Sequence, residues 1–482
     1  MIKVRLAFLI LMILSIFQVS PLIQGSAQSD IFELTKMVGE TGGFPKITSD
    51  AYGNLYVAWE SWKNDETSKS IYFSKFVDHQ WQQPVELVYS NQDVLLGDIF
   101  VTSNGRINIL WATGNEISIT HCEKADTHNI HNWEKTLVAS SDGSIAYPSF
   151  PHLAVSEKQQ LWVVSWALPK GVYINVSKDG DTWQPDQLIW AAPNNKSAPS
   201  NGLILITDDN VLLTWSEHTE INSWMGQAIW LATINTQDLN SFQIREVIRT
   251  SLPEGPTVDW PSIFRGPNKT LFLFWDNGVG SRTGRYYQIS TDMGQTWGPI
   301  KNIFSGKDGL SGQAGPVQVV IDSNDQVYFF SAAFGPDGIA AIRYFSEVNG
   351  VWSDYLTIKN DQLSDDYEIP SVTITGGNTI HVVWHDIIGR VFYKSILTSA
   401  PAIPLPTPPV KAEATLINTA DPSEVNTQTA VKTVQPVSTF TEYPGNPTAN
   451  SMETPMFPLI ASGLAVMILI SVVVLFYFKK KG

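Results

Sequence analysis

One pattern recurs along this chain and limits its folds more than any other feature. FPKITSDAYGNLYVAWE (44–60) returns as FPHLAVSEKQQLWVVSW (150–166), WPSIFRGPNKTLFLFWD (260–276) and IPSVTITGGNTIHVVWH (369–385). Each copy is a Pro, an alternating apolar run, a polar turn, and a second alternating run that ends in Trp. The Pro-to-Trp offset is 14 for Pro45/Trp59, Pro261/Trp275 and Pro370/Trp384, and 15 for Pro151/Trp166. Weaker copies end at Trp111 and Trp215, and another, after Pro316, places Ser331 in the Trp slot. Successive copies lie about 54 residues apart. Period-two alternation broken by Gly, Asn and Asp turns is the signature of short strands.

Each copy has a second half. SIYFSKFVDHQWQQPVEL (70–87), VYINVSKDGDTWQPDQL (172–188), RYYQISTDMGQTWGPIKNI (285–303) and IRYFSEVNGVWSDYLTI (342–358) each read as strand, turn, strand. A unit is therefore four strands, A to D. Seven such units over 30–398 predict an all-β fold, a seven-bladed β-propeller of four-stranded blades, with six blades the alternative. The seventh unit has strand C (390–396) and then no fourth strand, while DIFELTKMV (30–38) precedes the first strand A. Pairing the two closes the ring and removes two exposed edges, so residues 31–38 are expected to be the outer strand of the last blade.

The ends read as targeting segments. Residues 1–27 carry Lys3 and Arg5, an apolar run Leu6 to Phe17, and small residues Gly25 and Ala27. That is a secretory signal peptide, or an uncleaved anchor that is short for a span. Residues 399–455 are rich in Pro, Thr, Ala and Asn without periodicity, and read as a disordered stalk. Residues 457–478 contain no charge and extend roughly 33 Å as a helix, enough to cross a bilayer. Lys479, Lys480 and Lys481 lie in the tail 479–482, which the positive-inside rule places in the cytoplasm. The expectation is a single-pass protein of the cell membrane with its propeller outside.

Charge narrows the partners. The chain holds 31 Lys+Arg against 46 Asp+Glu, a net charge of −15. Five of the bases sit in the two ends, which contain no acid, so 28–456 carries 26 bases against 46 acids, or −20. A body this acidic is a poor nucleic-acid binder and disfavours anionic ligands at long range. The single cysteine, Cys122, excludes a disulfide scaffold. His121 and Cys122 are strand neighbours that face opposite ways, so HCEKADTHNIH (121–131) does not read as a metal site; no cofactor is expected. Asn175, Asn195 and Asn268 lie in N-x-S/T sequons.

Ser290-x-Asp292-x-Gly294-x-Thr296-Trp297 matches S-x-D-x-G-x-T-W, and Ser177, Asp179 and Trp183 form a version one residue shorter. Trp81, Trp133, Trp352 and Phe242 mark degenerate copies. This motif resembles the Asp-box of the sialidase-like (BNR-repeat) β-propeller superfamily, over about 30–398. The resemblance implies that the box sits in the C–D turn and is structural.

Sialidases use an Asp acid/base, a Tyr–Glu nucleophile pair and three arginines that clamp the substrate carboxylate, for which a planar, bidentate guanidinium is suited. The family's first arginine lies in an F-R-I-P motif. The matching stretch here, Phe44-Pro45-Lys46-Ile47, has none, and Phe264-Arg265-Gly266-Pro267 falls on the A–B turn of the fifth unit, on the opposite face. In a propeller the B–C and D–A loops share the face with the channel mouth. Asp386 and Asp276, just past the strand-B Trp residues, are candidate catalytic carboxylates, and Tyr367 with Glu368 is the candidate Tyr–carboxylate pair. Arg282, Arg285, Arg343 and Arg390 either form an anion clamp or pair with surplus carboxylates; His385, Glu60, Glu217 and Trp260 complete the candidate ligand-binding set. Two functions follow: a propeller that recognises extracellular glycans or surface proteins through its channel face, or a divergent exo-acting glycoside hydrolase.

Overall fold

A computed structural model describes residues 31–407 except 63–68, 124–125, 142–144, 146–149, 194–198, 219–225, 251–256, 280–281, 307–309, 313–314, 337, 349 and 359–366. The expected signal peptide, most of the stalk, the apolar span and the tail lie outside these residues. Among the described residues no helix is long and apolar enough to cross a membrane. Among the described residues the secondary structure is antiparallel strands with four short 3₁₀ turns.

The strands group in fours. Unit one begins with Thr41–Ser49 and Leu55–Trp62; unit two covers 94–140, unit three 152–191, unit four 199–249, unit five 257–304 and unit six 318–358. Ser311–Gly312 pairs with both Thr283 and Phe334/Ala333, which joins units five and six into one sheet. Unit seven is Tyr367–Thr375, Thr379–Asp386 and Val391–Leu397, and its fourth strand is Phe32–Glu33 from the N-terminus, with Phe32 opposite Tyr393. That strand is shorter than the expected 31–38. A 3₁₀ turn, Thr35–Met37, follows at once, and the buried Leu34 donates its N–H to Val391 O at 2.8 Å.

Packing follows the repeat. A buried apolar cluster lies between each unit and the next: Tyr56 and Phe73 against Val94 and Trp111 for units one and two, Leu212 and Leu231 against Val258 and Trp275 for units four and five. One such cluster joins unit seven to unit one through Val383, Val391, Trp59 and Tyr72, with Leu34 inside it. Trp59, Trp166, Trp215, Trp275 and Trp384, the repeated Trp of five of the strands B, are all 0% exposed. Burying a large aromatic side chain stabilises by about 1.5–3 kcal/mol, so the Trp repeat is the core repeat.

Three details differ from the sequence reading. Pro45, Pro261 and Pro370 do not start strand A but sit inside it, whereas Pro151 immediately precedes its strand. The packed body extends past 398: Ser323 Oγ donates to Pro401 O at 2.6 Å, Ile403 N to Gly376 O at 2.7 Å, and Asn378 Nδ2 to Ala400 O at 3.3 Å. Leu405 lies so close to the A–B turn of unit one that a Cβ on Gly53 would come within 2.5 Å of it. The C-terminal segment thus rests on A–B turns of units six, seven and one. The Asn175 sequon is buried, with its amide on Val138 O, whereas Asn268 is exposed.

His381, in strand B of unit seven, gives a pH-dependent term. Its imidazole contacts Thr375 Oγ1 at 2.8 Å and Tyr393 Oη at 2.9 Å, and burial pulls it down to about 4. In the unfolded chain it titrates near its ordinary 6.5. Between these values the unfolded chain binds a proton that the folded chain refuses, so stability is full above about pH 6.5 and falls as pH drops towards 4. The loss is on the order of 3 kcal/mol. His381→Gln is expected to flatten this part of the stability profile in urea titrations at pH 4 to 7; an unchanged slope would refute the assignment.

Candidate functional site

The strand-A prolines create the inner surface. Pro has no N–H to give a ladder and is tolerated at a bulge. Pairing of strands A and B skips between Gly43 and Lys46, Asp259 and Ser262, and Glu368 and Ser371. The residue before each Pro takes the left-handed region: Phe44 at φ 48°, Trp260 at 52° and Ile369 at 29°. Each such non-glycine conformation costs about 1–3 kcal/mol, offset by packing. Their side chains meet Phe150, Leu203 and Pro316 in a central hollow and leave about 20 Å³, room for little more than one water. Phe44 stacks near Phe150, with centroids 5.3 Å apart, and near His385 at 5.0 Å. Beside this plug lies an ion set from three successive units. Asp98 is 3.6 Å from Lys46 Nζ and 3.3 Å from His152 Nδ1, and it accepts from Leu153 N at 2.8 Å; these partners hold its carboxyl below its ordinary range despite burial.

The candidate carboxylates are engaged. Asp386, at 0% exposure, accepts from Arg390 Nε at 2.7 Å and from Arg390 N at 2.8 Å. Asp276 forms a buried ion pair with Arg285, its partner across the B–C hairpin. Arg285 Nε also donates to Ser331 Oγ at 3.0 Å, and burial pushes the guanidinium down to about 9, still charged at neutral pH. Ser331, which stands in the Trp slot of unit six, thus meets the guanidinium of unit five. Glu60 accepts from Leu96 N of the next unit at 2.7 Å. Glu217 holds Arg249 bidentately at 3.1 and 3.2 Å and accepts from Trp230 Nε1 at 2.8 Å. His385 Nδ1 accepts from Phe44 N at 3.3 Å. Arg343 is buried, donates to Ile339 O at 3.3 Å and lies over the Tyr355 ring. Tyr367 and Glu368 pair with Asp386 and His385 along the backbone; their side chains and that of Arg282 lie outside the described part of the structure.

Solved structures similar to this chain include an ulvan lyase of a polysaccharide lyase family, bound to a GlcA(1-4)Rha3S unit, at 12% identity and TM-score 0.53, covering 77% of this chain and 96% of that one. They also include an α-L-arabinanase of Penicillium chrysogenum (12% identity, 77% and 99% covered, TM-score 0.46) and the NanB sialidase of Streptococcus pneumoniae (10%, 78% and 70%, 0.44). The fold shared with the lyase is a β-propeller of four-stranded antiparallel units. No protein-family model matches the sequence, and no curated protein matches it significantly. At these identities the likeness is one of fold.

The propeller's C–D turns carry two equivalent hydrogen-bonded loops. Ser290 Oγ donates to Asp292 Oδ1 at 2.7 Å and accepts from Gly294 N at 2.8 Å; Asp292 accepts from Thr296 N at 2.8 Å, and Trp297 Nε1 donates to Gly294 O at 3.2 Å. Ser177, Asp179, Gly180 and Trp183 repeat this set at 2.9, 2.9 and 3.2 Å. The donated hydrogen bonds hold both Asp carboxyls down at about 2. Gly294 and Gly180 adopt φ of 90° and 83°, which the turn requires.

Ser216, His218 and Asp259 also converge on the propeller, but not as a nucleophilic triad. Ser216 and Asp259 both contact the same imidazole nitrogen, at 3.4 and 3.1 Å, and Ser216 donates directly to Asp259. A triad needs the acid on the other nitrogen, and this serine is fully buried.

Proposed function

We propose that this chain is a seven-bladed propeller, closed by its N-terminal strand and held outside the cell by a C-terminal membrane span, that recognises extracellular glycans or surface proteins without cleaving them. The observation that carries the reading is the engagement of its chemistry. Glycosidic cleavage needs one carboxyl to protonate the leaving oxygen and another across the sugar, both facing an open site. Here Asp276, Asp386 and Glu217 are buried against Arg285, Arg390 and Arg249. The hollow at the centre is filled by Phe44, Phe150, Trp260 and Ile369. An acidic body adds no attraction for an anionic sugar.

The test is a pair of assays on residues 28–407, a boundary that keeps the packed C-terminal segment. On a glycan array and on fluorogenic sialosides and arabinosides, the expected result is binding without turnover. Turnover lost in Asp386→Ala or Tyr367→Phe, in protein that melts normally, would establish the glycoside hydrolase instead.

A further inference from the structure

A second concave surface lies on the other face, between the third and fourth units. It is a cleft of about 890 Å³, in the size range of ligand sites, and the central hollow is about 20 Å³ by comparison. Its origin is a mismatch of neighbours. In unit three the tight Ser177–Trp183 turn delays strand D until Gln187. In unit four, strand C runs ten residues, Gly226–Asn235, and its C–D turn projects as a wall.

Amides form the largest group of side chains in the lining. Gln159, Gln160, Gln184, Gln187, Gln237 and Asn240 face the cleft, above a half-buried apolar strip of Val176 and Leu239. Each amide carries both donors and an acceptor, which suits a ligand whose hydroxyls do both. The walls are rigid. Asn235 Oδ1 accepts from Gln237 N at 2.7 Å, Thr236 N donates to Asp209 O at 2.9 Å, and Ser241 N donates to Asp238 O at 2.8 Å. Gln159 Nε2 is held by Thr207 O at 3.1 Å and Asp208 O at 2.5 Å, which ties the third unit's wall to the fourth unit. The charged lining residues are Lys178, Asp186 and Asp238, one more acid than base, so nothing here attracts an anion.

We propose that this cleft binds a neutral oligosaccharide. The proposal rests on the glycan-recognition reading and names a site for it away from the channel face. Full-length protein in detergent is applied to an array of neutral and sialylated oligosaccharides, and the tightest neutral hit is titrated calorimetrically. Gln160→Ala/Gln184→Ala alters two exposed side chains outside the core. Ile387→Ser/Ile388→Ser alters the exposed turn of the seventh unit, on the channel face. The expected result is neutral-glycan binding, weakened about ten-fold by the first variant and unchanged by the second, with both variants melting as the parent does. Binding weakened only by the Ile variant, or unaffected by either, would overturn the cleft and leave glycan recognition standing. Binding to sialylated glycans alone would overturn the neutral ligand class. No binding to any glycan would overturn both readings.

Discussion

Arg285→Met is expected to lower the unfolding free energy by about 3–5 kcal/mol. The guanidinium is 1% exposed and the Asp276 carboxylate 2%, so the variant leaves a carboxylate inside the protein without its counter-charge. Breaking one side of such a pair costs more than the pair itself is worth, because the desolvated survivor has no compensation. Asp276→Leu combined with Arg285→Met is therefore expected to recover most of the loss. Urea unfolding of the two single variants and the double variant closes the cycle. A double variant as unstable as Arg285→Met would show that the pair is not the source of the loss. Normal stability in the single variant would free Arg285 for a role at a ligand.

Deleting residues 31–38 is expected to have an effect at least as large. Leu34 alone is fully buried between units seven and one, and Leu→Ala at such a site costs about 2.7–5.0 kcal/mol. The deletion also removes the partner of Val391–Leu397 and exposes a strand edge, which favours association with other chains. Light scattering and thermal melts of the deletion and of Leu34→Ala measure the two parts separately. A deletion variant that stays monomeric and melts as the parent does would refute closure by this strand.

The repeat was legible because it is written in core residues. A strand-B Trp and a strand-A Pro answer to packing and to ladder geometry, which act alike in every unit. The site was harder to read because charged residues at strand ends serve two purposes. Asp276 and Arg285 face each other across one hairpin, and Asp386 and Arg390 close another. Both pairs join an acid of strand B to an arginine on the other side of the B–C turn, nine residues on in one and four in the other, and so serve the hairpin. The plug had a signal as well: Phe44-Pro45, Phe150-Pro151, Trp260-Pro261 and Ile369-Pro370 repeat a large apolar residue before Pro. Only the bulge, which turns the first residue to positive φ in three of them, reveals that those side chains aim inward. The amide cleft has no local signal, since its two walls come from turns about 55 residues apart.

The packed segment at 398–405 has a mechanical meaning. Tension applied to the chain beyond residue 407 arrives first at Leu405 beside Gly53, then at Ile403–Gly376 and Ser323–Pro401, before any blade strand. Once those contacts yield, the pull reaches Val391–Leu397, which is held on one side by Thr379–Asp386 and on the other by Phe32–Glu33. The strand under load is thus gripped from both edges, and one of those grips is the far end of the same chain. The fold has a fuse at this end that opens before its strands do.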